Sequence, residues 1–114
     1  MMEFKDHVKV IAWDNNTYRV LQRALNGEGE SYIHNIAAAA FKNMQLATSR
    51  DEFIKMMLQD GYRNIIFSDI KRREAGEKYY KIGTVKLQKY YNLDFTIEAL
   101  EETFRFNAEK IKRA

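Results

Sequence analysis

Apolar residues along the chain recur with two spacings, and the switches between them predict seven elements. In residues 4–13 (FKDHVKVIAW), Val8, Val10 and Ala12 alternate with His7, Lys9 and Ile11, and β-branched residues dominate. A period of two predicts a strand. Asp14, Asn15 and Asn16 then supply turn and N-cap chemistry for a helix over 17–26, with the apolar stripe Tyr18, Leu21, Leu25 and with Gly27 placed to stop it. The NGEGE stretch at 26–30 reads as a joint. Ser31 can cap a second helix running to about Leu46, whose buried face is Ile33, Ile36, Ala37, Ala40 and Phe41. The four alanines 37–40 combine high helix propensity with small side chains, so another element can pack close against them.

Ser49-Arg50-Asp51-Glu52 has the spacing of a capping box, the serine hydroxyl taking the amide of Glu52 and the Glu52 carboxylate reaching back to the amide of Ser49. It opens a short helix with Phe53, Met56 and Met57 on one face, closed by Gly61. The joint before it is short, so the second and third helices form a helical hairpin or helix-turn-helix. Residues 64–70 (NIIFSDI) and 78–90 (KYYKIGTVKLQKY) are rich in β-branched and aromatic side chains and predict two strands, joined by the polar KRREAGE with Gly76 available for a positive φ. The last helix begins near Thr96 and carries the stripe Ile97, Leu100, Phe104, Ala108, Ile111. Acids Glu98, Glu101 and Glu102 early and bases Lys110, Lys112 and Arg113 late match the helix dipole. The expected fold is therefore a single α+β domain over residues 1–114, of order β-α-α-α-β-β-α. Its helical hairpin is followed by a basic β-hairpin, as in winged-helix proteins, and by a C-terminal amphipathic helix.

Composition narrows the function classes. The chain has no cysteine, which excludes disulfides, thiolate metal sites and cysteine nucleophiles and fits a reducing compartment. No apolar run is long enough to span a bilayer, and MMEFKDHVKV lacks a signal-peptide layout, so a cytoplasmic protein with no membrane partner is expected. With an apolar fraction of 46% one core can form, although dimerisation to complete it stays open in a domain of this size. The net charge of +3 is uneven. Residues 63–91 hold eight Lys or Arg against three acids, a net of +5, while the rest of the chain carries eleven bases and thirteen acids, a net of −2. Positive charge concentrated in one segment of an otherwise slightly acidic chain is the footprint expected for a polyanion.

Signatures of catalysis are missing. His7 and His34, the two histidines, have no metal-ligand spacing; they read as surface or edge residues, the first on the outer side of a strand. No glycine-rich phosphate loop occurs, since Gly27-Glu28-Gly29 follows no strand. Asp51-Glu52 and Glu101-Glu102 serve helix starts. No catalytic residue, metal or cofactor is therefore expected. The basic hairpin is the binding candidate: Lys71, Arg72 and Arg73 at its tip, then Lys78, Lys81, Lys86 and Lys89, with Tyr80 among the interleaved tyrosines as a stacking surface. The same lysines could instead protect sheet edges from aggregation, and in each of the pairs Tyr79-Tyr80 and Tyr90-Tyr91 one ring is expected to face inward. In the winged-helix reading the helix over 49–60 would enter the major groove, yet it mixes Arg50, Lys55 and Gln59 with Asp51, Glu52 and Asp60, which repel phosphates. The hairpin should supply most contacts.

From Ile33 to about Phe104 the pattern resembles the segment that follows the catalytic core of plasmid mobilisation relaxases. The resemblance is carried by ATSRDEFIKMMLQDGY (47–62), NIIF (64–67), EKYYKIGTVKL (77–87) and YNLDFTIEALEETF (91–104). It implies a helix leading into a strand, a basic hairpin and a further helix start, in a DNA-binding or transfer-accessory module of a plasmid or phage. The relaxase histidine cluster is absent, so nicking does not carry over, and the first 30 residues have no counterpart. DNA is thus the leading expected ligand, with a protein partner bound by a small inhibitor or adaptor as the alternative. Supercoiled plasmid incubated with the purified protein and Mg²⁺ or Mn²⁺ is expected to stay intact. Relaxation that co-purifies with the protein and disappears on changing one residue would contradict this.

Overall fold

The computed structural model describes residues 3–63, 87–93, 95 and 97–113. These residues form five α-helices: α1 (Phe4–His7), α2 (Asn15–Leu25), α3 (Tyr32–Met44), α4 (Arg50–Gln59) and α5 (Ile97–Arg113), with a 3-10 turn at Leu87–Lys89. Helix α3 packs against α1, α2, α4 and α5 and is the centre of the core. Ile36, Ala37 and Ala40 are fully buried and Phe41 nearly so. The small alanine side chains let neighbouring helices approach α3 closely, as their position in the sequence predicts.

Local chemistry accounts for the helix ends. The Asp14 carboxylate accepts from the Thr17 amide and hydroxyl, both at 3.0 Å, and opens α2; Gly27 ends it at φ +79°. Ser31 Oγ takes the His34 amide at the start of α3, and Ser49 Oγ takes the Glu52 amide at 3.1 Å at the start of α4. The second half of the expected capping box differs. Glu52 Oε1 accepts from the amide of Thr48 at 2.9 Å, one residue earlier than predicted, and so ties down the approach to the helix. Gly61, at φ +93°, follows α4.

The α+β expectation is overturned. Among the described residues the architecture is helical, no strand forms, and the order β-α-α-α-β-β-α with its winged-helix layout is not what the chain adopts. Two side-chain spacings explain the difference. In a strand over 4–13, Asp6 would share a face with Phe4 and Val8; a helical turn at Phe4–His7 buries Phe4 and Val8 together and leaves Asp6 exposed. Likewise, a strand through 87–91 would put Lys89 on the face of Leu87 and Tyr91. The 3-10 turn buries Leu87 and Tyr91 and turns Lys89 out. With 87–89 wound into a turn, 90–92 is the part of the described segment that meets 9–11. One antiparallel bridge results, Val10 to Tyr91, flanked by Ile11 N–H to Tyr90 O at 2.8 Å and Asn92 N–H to Lys9 O at 3.1 Å. The alternation over 8–12 is real as burial, Val8 and Val10 in and Lys9 and Ile11 out, without a sheet. The predicted strand 64–70, the hairpin tip and residues 78–86 lie outside the described residues.

Two buried asparagines knit the helix ends. Asn107 of α5 donates from Nδ2 to the carbonyls of Met44 at 2.9 Å and Ala47 at 2.8 Å, satisfying acceptors that the end of α3 leaves open. Asn43 donates from Nδ2 to Asp60 Oδ2 at 2.9 Å and lies 3.1 Å from Met57 Sδ, joining α3 to the end of α4. The bond from Asn43, followed by the nearby Lys42 ammonium, holds the Asp60 carboxyl below its ordinary range. On α5, Leu100 and Phe104 enter the core and Asn107 is buried behind them, while Ile111 is exposed, so the last turn of the helix projects beyond its docking face. Leu100 has no exposed surface, and Leu100→Ala is expected to lower unfolding stability by about 2–5 kcal/mol, measured by denaturant titration.

Candidate nucleic-acid interface

Of the residues singled out for binding, Lys71, Arg72, Arg73, Lys78, Tyr80, Lys81 and Lys86 lie outside the described residues. Lys89 is described: it ends the 3-10 turn with its side chain exposed. Its neighbours divide as expected of a tyrosine pair. Tyr91 is buried, its ring 5.1 Å from that of Phe4 in an edge-on arrangement, and Tyr90 is half-buried. Burial pushes the Tyr91 phenol well above its ordinary range, and its hydroxyl finds no partner among the described residues.

The pairing of 9–11 with 90–92 brings a second segment beside Lys89. Ile11, Ala12, Trp13, Asp14, Thr17, Lys89 and Tyr90 line an open groove of about 560 Å³. Trp13 is 99% exposed and Ile11 50% exposed. The Asp14 carboxylate is engaged by Thr17 at the start of α2, and that bond holds its pKa below the ordinary value. The groove thus places a cation, a free indole and a partly covered phenol together. The alternation that puts His7, Lys9 and Ile11 on one side of the chain also puts Trp13 there, so its exposure was readable from the pattern. Its proximity to Lys89 was not, because it depends on the pairing of 9–11 with 90–92, far apart in the sequence.

A larger groove, about 970 Å³, lies where the N-terminal segment meets α2 and α3, with Lys5, Lys9 and His34 among its lining residues. His34 departs from the expected surface or edge histidine. It is half-buried, its ring lies 5.6 Å from that of Phe4, and Nδ1 is shut off from water with no partner among the described residues. Burial lowers its pKa. His7, expected on a strand, is exposed on α1. Among the described residues no group of three or more His, Cys, Asp or Glu could hold a metal ion.

Helix α4 offers little to phosphates. Arg50 is ion-paired with Glu101 of α5, Asp51 is exposed, and Glu52 is committed to Thr48. Among the described residues no helix is long and apolar enough to cross a membrane. No protein-family model, curated protein or solved structure matches the chain.

The half-buried His34 ring ties stability to pH. The unfolded chain takes up a proton near the ordinary histidine value of 6.5, which the native ring binds only at lower pH. Stability should therefore be complete above 6.5 and fall as the pH drops below it, levelling off once the native ring is protonated. Urea midpoints measured across this window should drop less in His34→Phe than in the parent, and equal drops would contradict the assignment.

Proposed function

We propose that the protein is a non-enzymatic nucleic-acid-binding module, DNA being the expected ligand, with the basic segment 63–91 supplying the phosphate contacts. The observation that carries this reading is the charge distribution: a net of +5 within those 29 residues against −2 in the remainder. Such clustering raises the local concentration of a polyanion and favours contact through exposed cations. Lys89, the basic residue of 71–89 that is described, fits by being exposed beside aromatic side chains. The Arg50–Glu101 ion pair and the exposed acids of α4 support contact through the basic segment over contact through a groove-reading helix. The resemblance to the post-catalytic segment of mobilisation relaxases points to the same ligand and to an accessory role in a mobile element.

A protein partner is the second reading. It is favoured by exposed Tyr32, Leu46, Leu58 and Phe106, side chains that suit the centre of an interface. Salt separates the two, because phosphate contacts release counterions and protein contacts of this kind do not. Changing Lys71, Arg72 and Arg73 together to Ala should weaken DNA binding at every sequence tested and flatten the slope of log affinity against log salt by about one unit per lost contact. Circular dichroism should show an unchanged fold. Parental binding by the triple variant would remove the tip from the interface, and indifference to DNA at low salt would favour the protein partner.

A further inference from the structure

We infer that the groove around Trp13 and Lys89 takes an unpaired nucleobase, so that the module holds single-stranded nucleic acid in preference to duplex; this rests on the nucleic-acid reading above. The indole is the starting observation. Trp13 is the chain's one tryptophan, and it is 99% exposed although indoles are among the side chains that gain most from burial. Exposure at this position is built in. The residues before it are anchored by the Val10–Tyr91 bridge and the Ile11–Tyr90 hydrogen bond, and the residue after it is the cap of α2. The indole is therefore mounted between two fixed points.

Its surroundings match one ligand chemistry. A stacked base needs a free aromatic face, an apolar floor and a cation within reach of its phosphate. Trp13 supplies the face, Ile11 and Ala12 the apolar wall, Tyr90 a second ring, and Lys89 the cation. Among the described lining residues Asp14 is the one acid, and its Oδ2 is turned to the amide and hydroxyl of Thr17 at the start of α2. Bases within a duplex are already stacked on their neighbours, so an indole of this kind gains a partner only from an unpaired strand or an everted base. Lys89 also belongs to the basic segment of the sequence.

A single tryptophan makes the test direct. Oligodeoxythymidylate, which does not fold on itself, and a duplex of equal length are titrated into the protein at several salt concentrations while indole fluorescence is followed. Saturable quenching by the single strand is expected. By anisotropy of labelled oligonucleotide, Trp13→Ala should lose roughly 5- to 150-fold in affinity for the single strand. It should bind duplex like the parent, while Trp13→Phe should keep most of the single-strand affinity. Lys89→Ala should flatten the single-strand salt slope by about one unit. Because Trp13 is 99% exposed, an unchanged thermal midpoint is expected for its variants and serves as the folding control. Parental single-strand binding by Trp13→Ala, or binding without quenching, overturns this inference and leaves the proposed function standing. Binding to duplex alone does the same. Failure to bind either form at low salt overturns both, and the exposed indole then belongs to a protein-docking surface.

Discussion

Burial of α3 on several sides at once is the constraint on which the rest of the structure depends. A helix that receives α1, α2, α4 and α5 must offer small side chains where neighbours come near and must have its terminal carbonyls satisfied away from water. Ala37 and Ala40 meet the first requirement. The second is met from outside the helix. Gln45 donates to the carbonyl of Phe41, the amides of Leu46 and Ala47 return to Asn43, and Asn107 of α5 takes Met44 and Ala47. Losing the Asn107 amide would leave buried acceptors unpaired, at a cost of about 1–3 kcal/mol for each group. The position of α5 is therefore set by hydrogen bonds at one end of α3 as well as by Leu100 and Phe104 in the core.

The same core determines what reaches the surface near the candidate site. Phe4 packs against Phe41, His34 and Tyr91, joining the N-terminal turn, the central helix and the segment after the basic stretch. With Tyr91 held there, Val10 pairs with it and Trp13 comes to stand beside Lys89. The groove proposed to hold a base is thus a consequence of aromatic packing beneath it. Exposed aromatic and cationic groups can be held in fixed positions at little conformational cost when the backbone carrying them is anchored in this way.

Much of the helical framework was legible in the sequence because its signals are local. Asp14, Ser31 and Ser49 act within three residues of the amides they cap, and Gly27 and Gly61 stop helices through their own backbone freedom. The burial of Ile36, Ala37, Ala40, Phe41, Phe53 and Met57 follows from helical spacing alone. The clustering of charge in 63–91 is likewise a property of the sequence, and it carries the functional reading.

What only tertiary structure decided concerns residues whose partners lie far along the chain. Period-two patterning in 4–13 and β-branched content up to Tyr90 suggested strands, yet a strand requires a partner of matching length. Among the described residues, the 3-10 turn at Leu87–Lys89 leaves a single bridge, Val10 to Tyr91. Asn107 gives no sign in the sequence that it closes a helix 60 residues away, and neither does His34 that its ring comes to lie 5.6 Å from that of Phe4. Trp13 could be assigned to the outer side by alternation, but only the pairing of 9–11 with 90–92 puts it next to Lys89. Local capping and helical periodicity act over a few residues and can be read from one sequence; pairing and burial across the chain depend on the competition among all segments for the same core, and the folded structure alone records its outcome.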